Sequence, residues 1–340
     1  RDTFPAMLAA AQSAVARMPQ GTVEVEAEAS HAAADVIFRT LFSIPIEDAV
    51  AQEVFAAFRD HQRTQPILNL AAFLPLPRWF PRLHRRATLA TAARIRALIT
   101  AMTAARADAI AAGTAPDDLA TKIMTTADPL TGERLGTDEM VDQVAIFFLA
   151  GHETSASALA WSLYLLATHP DAQARVAAEA AGFAESPAFA GLSRLRFTRD
   201  VFREALRLYP PVPMMVRETA RAETLRGRPV TPGAQVVLSP WHLHRHERLW
   251  AAPDAFDPDR WQTDAGRESA RAAYMPFSAG PRVCTGAGFA MAEGVTLLAL
   301  LVAAFRFAPD GPPPVPVAHL TVRARDGIAI RAEPAITITA

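Results

Sequence analysis

Hydrophobic positions along the chain follow two different rhythms. Through the first two-thirds, Ala-, Leu- and Arg-rich stretches such as 87–112 and 171–181 repeat apolar residues every three or four positions, broken by short Pro or Gly punctuation. Residues 113–136 are polar and turn-rich and read as a connection. A helical pattern then runs unbroken to His169-Pro170, with Thr137 as its N-cap and Asp138 and Glu139 in its first turn. About 30 residues rising ~1.5 Å each span roughly 45 Å, so other helices must wall this one over most of its surface. In the final third proline thickens (Pro210, Pro211, Pro213, Pro229, Pro232, Pro240) and short β-like runs such as Ala234–Leu238 appear. Leu320–Arg331 alternates around Asp326-Gly327, which predicts a β-hairpin. Helical spacing returns over 291–305, and the prolines of 312–316 form a stiff surface loop. The pattern predicts a mainly α protein with small β-sheets, built around one long central helix.

That helix carries an anomaly. Its apolar run Val144-Ala145-Ile146-Phe147-Phe148-Leu149 meets Ala150-Gly151-His152-Glu153-Thr154-Ser155 before turning apolar again. Glycine costs a helix interior ~1 kcal/mol relative to alanine, and a buried carboxylate must find partners. Thr154 is placed to bond back to the carbonyl of Ala150 and bend the helix locally. Two readings fit: a helix-packing notch with a polar face, or a groove where Gly151 admits something flat and Glu153 and Thr154 deliver protons.

Composition narrows the chemistry. Thirty-four basic residues against 35 acidic ones give a net charge of -1, which leaves no electrostatic footprint for nucleic acid. Lys122 is the sole lysine and no P-loop surrounds it. The longest uncharged apolar stretch, Gly294 to Phe305, has 12 residues and is too short for a transmembrane helix. No signal-peptide pattern follows Arg1, so a cytoplasmic protein without a membrane segment is expected. The bias toward Arg and Ala suggests a high-GC bacterial genome.

One cysteine in 340 residues excludes internal disulfides and multi-cysteine metal sites. Cys284 lies in Phe277-Ser278-Ala279-Gly280-Pro281-Arg282-Val283-Cys284-Thr285-Gly286, a turn-rich loop feeding the helix near 287–305. A helix N-terminus and Arg282 both favour a thiolate there, and Gly280 and Gly286 let backbone N–H groups turn toward the sulfur. Such a sulfur suits a nucleophile or a metal ligand. His242, His244 and His246 are the candidate bases for a cysteine hydrolase, although no local signature of such enzymes surrounds Cys284. Gly286-Ala287-Gly288 is not a dinucleotide fingerprint, because Met291 occupies the sixth position.

At this point the residues resemble the cytochrome P450 family. Phe277, Gly280, Arg282, Cys284 and Gly286 meet its haem-binding signature F-x-x-G-x-R-x-C-x-G, and Ala150-Gly151-His152-Glu153-Thr154 meets its central-helix signature (A/G)-G-x-(D/E)-T. Glu204-Ala205-Leu206-Arg207 meets E-x-x-R, and Phe256-Asp257-Pro258-Asp259-Arg260-Trp261 follows F-x-P-x-R-F with Trp for the last Phe. Alone, a Glu and an Arg three apart make a routine surface pair. Four motifs in the family's order carry more.

The resemblance implies the cytochrome P450 fold as a single domain over 1–340, lacking an N-terminal segment that the family normally carries before it. It implies haem b with Cys284 as the iron's thiolate ligand, Arg282 and Arg217 as partners of the haem propionates, and Phe277 packed near the sulfur. Gly286, Ala150 and Gly151 belong to the same cofactor-binding set. Glu153 and Thr154 become the catalytic pair that organises water and delivers protons, and Glu204, Arg207 and Arg260 an ion network holding the cysteine loop. Phe147, Phe148, Val212, Met214 and Met215 fall where the family lines its pocket. The implied reaction inserts one oxygen atom of O2 into a hydrophobic organic substrate, using electrons from a separate ferredoxin- or flavodoxin-type donor with its reductase. The alternatives are a truncated non-catalytic remnant of the family and, from outside it, the cysteine hydrolase.

Overall fold

The computed structural model describes residues 2–64 and 85–335. Two compact units emerge, Arg1–Met18 with Glu26–Ala156 and Pro19–Val25 with Ser157–Ala340. The first is helical: α1 (Phe4–Arg17), α2 (Val25–Phe42), α3 (Ala49–Thr64), α4 (Arg86–Ala111), α5 (Leu119–Thr125) and residues 137–156 of α6 (Thr137–Thr168). Its centre is aromatic. Phe148 lies 4.9 Å from Phe38 and 4.4 Å from Phe58, ring centroid to ring centroid.

The long helix runs as its pattern predicts, with one correction at its start. Thr137 is already helical, and the cap is Gly136, whose N–H donates to Glu139 Oε2 at 3.0 Å. A carboxylate three residues inside the helix thus satisfies an orphan donor, as in half of a capping box. The connection 113–136 also hides a helix. Asp118 caps α5 by accepting from the Thr121 N–H at 3.0 Å and pairs with buried Arg106 at 2.6 Å. Turn-rich composition concealed that cap.

The second unit packs α11 (Ala287–Ala304) against α7 (Pro170–Glu185) and α8 (Arg196–Leu208). Between these helices in sequence come β2 (Met215–Glu218), β3 (Glu223–Leu225), β4 (Arg228–Val230), β5 (Gln235–Leu238), α9 (Pro240–Leu243) and α10 (Asp264–Ala273). The strands pair antiparallel as β2–β5 and β3–β4. A closer approach than sequence spacing reveals joins α11 to α8: a Cβ on Gly294 would lie 2.1 Å from Phe202 Cζ. By length and composition α11, with mean hydropathy 1.9, could cross a membrane, because it begins seven residues before Gly294 and only Glu293 among them is charged. Yet every residue from Glu293 to Val302 is buried within protein, as in a core helix.

The predicted hairpin does not form. After α11 come β6 (Phe305–Pro309), β7 (Pro316–Ala318), β8 (Val322–Ala324) and β9 (Ala329–Pro334). The two arms around Asp326-Gly327 enter different sheets: β8 pairs with β7, and β9 lies between β6 and β1 (Gly21–Glu24). Gly327, at φ 80°, still makes a turn. The Val25 N–H then donates to Ile328 O at 2.9 Å, so the chain near β1 captures the second arm. Alternation identified the strands correctly; their partners lay outside the local pattern.

Candidate functional site

Cys284 sits in a loop folded on itself. Its N–H donates to Phe277 O at 2.8 Å, Val283 N–H to Gly280 O at 3.0 Å, and Ser278 N–H to Met275 O at 3.2 Å. Ser278 and Gly280 both hold positive φ, 63° and 68°, so the loop doubles back before the cysteine. Gly286 caps α11, its carbonyl accepting from the Ala290 N–H at 2.8 Å. Phe277 is half-buried beneath this turn, whereas Cys284 is exposed and Val283 is 52% exposed.

Two arginines accompany the loop. Arg217 in β2 donates to Ser278 Oγ and to Val216 O, each at 3.0 Å. Arg282 is exposed on the single 3-10 turn Gly280–Arg282. Among the described residues neither guanidinium pairs with a carboxylate. An exposed sulfur with two cations free of carboxylate partners is a donor set suited to an iron-bearing group with acidic side chains, so these residues fit a haem.

The E-x-x-R pair is no surface pair. Glu204 and Arg207 are fully buried, and all five Arg207 N–H groups meet acceptors: Glu204 Oε2 at 3.0 Å and Oε1 at 2.8 Å, His244 O at 2.8 Å, Ala255 O at 2.9 Å, and Pro253 O. Arg260 donates from Nε to Glu204 Oε1 at 2.8 Å and from Nη1 to Ala251 O at 2.8 Å. One carboxylate therefore serves two guanidiniums, which themselves tie down the 251–255 backbone.

In the first unit the two sides of α6 diverge. Ile146, Phe147 and Ala150 are exposed, with Gly151 and Thr154 partly so, an open stripe at helical spacing. Thr154 Oγ1 donates to Ala150 O at 2.7 Å, the predicted back-bond. Its hydroxyl hydrogen is thereby used, leaving lone pairs to accept from an incoming donor. Glu153 is 3% exposed and accepts from Gln62 Nε2 in α3. His152 is fully buried, its Nε2 2.9 Å from Ser30 Oγ and its Nδ1 3.9 Å from Glu153 Oε1. Nothing in the sequence joined Ser30, Gln62 and His152, since helix packing alone assembles them.

Two expectations change here. A Cβ on Gly151 would lie 2.5 Å from Ile37 Cδ1, so the close approach this glycine permits is that of α2, the packing-notch reading. Phe148, expected to line a pocket, is 1% exposed in the aromatic core, because it occupies the inner side of α6. Phe147, at 38% exposure, lies on the open stripe, and Met214 is 44% exposed. A cavity of ≈ 300 Å³ in the second unit is lined by Pro213, Met214, Trp241, His242, Val317 and Val322 among others. Of the three candidate bases of the hydrolase reading, His244 is buried and bonded elsewhere, and His242 and His246 bond Ser239 and the Arg248 N–H. No group of three or more His, Cys, Asp or Glu side chains among the described residues is arranged to hold a metal ion.

Known proteins share this architecture. The sequence model of the family described as Cytochrome P450 matches residues 6–331. Cyclooctat-9-en-7-ol 5-monooxygenase of Streptomyces melanosporofaciens is 36% identical over 281 residues, covering 81% of this chain and 59% of that protein. Cytochrome P450 4A10 of Mus musculus is 38% identical over 202 residues, 58% of this chain and 39% of the relative. The chain thus spans three-fifths or less of these relatives' length. The crystal structure of the cytochrome P450DA heme domain superposes with a TM-score of 0.84 at 28% identity, covering 98% of this chain and 73% of that one. With the family's match running from α1 into β9, and a solved heme domain reproducing the fold, the chain belongs to the cytochrome P450 family.

Proposed function

We propose that this chain is the haem-binding part of a monooxygenase acting on a hydrophobic organic substrate. The observation that carries the reading is the lone cysteine, exposed on a tightly folded loop beside two arginines without carboxylate partners. Cys284 would hold haem b through its sulfur, Arg217 and Arg282 would take the propionates, and Phe277 would pack beside the sulfur. Ala150, Gly151 and Gly286 complete the cofactor-binding set; Gly151 contributes by seating α6 against α2. When bound, the haem supplies activation of O2, one atom entering a C–H bond or double bond and the other leaving as water.

The chain's residues serve that chemistry with protons and shape. Thr154, its hydrogen committed to Ala150 O, offers acceptor lone pairs that hold a water in place. Glu153 is the proton reservoir next to it, its carboxylate oriented by Gln62. The apolar stripe of Ile146, Phe147 and Ala150 and the exposed Met214 favour an apolar substrate, in keeping with the alcohol in the Streptomyces relative's name. The two electrons come from outside, from a ferredoxin or flavodoxin with its reductase in the cytoplasm of a bacterial host.

The test is spectroscopic. The purified chain, loaded with haem and reduced under CO, is expected to show the strongly red-shifted Soret band of thiolate ligation. Haem-free protein after loading points instead to a non-catalytic remnant of the family.

A further inference from the structure

We infer that His244 is a positioning residue that anchors the start of the cysteine loop to α8 through a single fixed tautomer. The inference concerns a histidine that none of the four motifs contains. Its ring is fully buried, with both nitrogens engaged: Nδ1 lies 3.1 Å from Arg207 O, and Nε2 lies 3.0 Å from the Met275 N–H.

The partners decide where the proton sits. A backbone carbonyl can only accept, so Nδ1 must carry the hydrogen toward Arg207 O. A backbone N–H can only donate, so Nε2 must present a lone pair to Met275. Protonating Nε2 would set N–H against N–H in a buried site near the Arg207 and Arg245 guanidiniums. Burial, reinforced by those cations, lowers the imidazole pKa to about 4, in agreement with the neutral ring that the geometry requires. Tyr274 stacks on the ring at 5.5 Å and donates its own hydroxyl to Arg203 O at 3.2 Å, so the ring cannot turn freely.

The placement gives the contact its consequence. Met275 opens the loop: Ser278 N–H returns to Met275 O, and Cys284 N–H returns to Phe277 O. Those bonds are internal. Among the described residues, the backbone of 275–286 reaches outside the loop and its adjoining helix α11 by one hydrogen bond, from Met275 N–H to His244. Because Arg207 also donates to the His244 carbonyl at 2.8 Å, the histidine joins the buried ion network to the loop from both its backbone and its ring.

The reading of Cys284 as haem ligand enters only one of three measurements. On the 340-residue chain without haem, His244→Phe keeps the stacking ring and removes both hydrogen bonds, whereas His244→Gln keeps an acceptor that can reach Met275. Amide exchange at Met275 is expected to be about tenfold faster in His244→Phe, the worth of one buried hydrogen bond, and to return toward the wild-type rate in His244→Gln. Nitrogen NMR of the labelled wild-type imidazole is expected to show Nδ1 protonated and Nε2 bare. In the haem-loaded chain the reduced CO band is expected to move from its red-shifted position in His244→Phe and to recover in His244→Gln. Unchanged Met275 exchange in a folded His244→Phe variant, or a wild-type Nε2–H tautomer, overturns the inference. Should His244→Phe fail to fold, the tautomer and the glutamine variant decide. Failure of the wild type to take up haem defeats the proposed function and leaves the exchange and tautomer results standing.

Discussion

The Glu204–Arg207–Arg260 network and the Cys284 loop belong to the same unit and both match family motifs, yet they are opposites physically. In the network every guanidinium hydrogen of Arg207 has an acceptor and the charges are fully out of water. Buried charge is tolerable only in such a saturated arrangement. Around Cys284 the sulfur is exposed, Arg282 reaches into solvent, and Arg217 is satisfied only by neutral oxygens. A motif whose polar groups are all spoken for serves the fold. A motif that leaves a soft donor and two cations open is shaped for something the polypeptide does not contain.

That contrast can be broken from the network side most forcefully. Arg207→Ala leaves Glu204 buried with half its compensation gone and three backbone carbonyls without their donor, so a loss of about 3–5 kcal/mol is expected by denaturant unfolding. The pH dependence of His244 comes next. Its folded pKa, about 4, lies below the ordinary 6.5, so the unfolded chain takes up the proton first as pH falls. Its contribution is therefore complete above about pH 6.5 and lost on going down toward pH 4, by at most ~1.4 kcal/mol per pH unit. The charged and titratable groups around it are Arg207 and Glu204 of α8, Arg245 and Tyr274. Comparing wild type with His244→Phe across that range isolates the histidine, and parallel curves would deny it the role.

Packing provides a smaller test. Gly294→Ala drives a methyl into the buried ring of Phe202 and is expected to cost about 1–3 kcal/mol. Gly151→Ala meets Ile37 Cδ1 and Cγ1, a side-chain end that can shift more readily than a ring, and up to ~1 kcal/mol of helix propensity offsets the clash, so the two glycines should separate in thermal melts. Smallest of all is Cys284→Ser. An exposed sulfur contributes little to folding, and a change within about 0.5 kcal/mol is expected, set against complete loss of thiolate ligation. A large destabilisation by that substitution would place Cys284 with the network after all.

Legibility followed the same divide. The long helix, the late apolar helix and the strand at 235–238 were readable because each rests on a local period, and the motif residues because spacing within one segment identifies them. The partners of β9 were not readable, since β1 lies at the other end of the chain. Neither was the bonding of Glu153 to Gln62, nor that of His152 to Ser30, because α2 and α3 bring those residues from 30 and 62. Sequence pattern also placed Phe147 and Phe148 together, although adjacent helical positions point about 100° apart. One is open and the other lies in the core.

The sheet that closes the second unit has a temporal consequence. Val23 of β1 pairs with Ile330 of β9, and among the described residues no other strand flanks β1. On a ribosome adding about 5–20 residues per second, β1 emerges roughly 15–60 s before β9, the strand it pairs with, exists. Throughout that interval its N–H and C=O groups present an unpaired edge, the kind of surface chaperones recognise. Completion of this sheet is therefore a late event of synthesis, whatever the helices have already achieved.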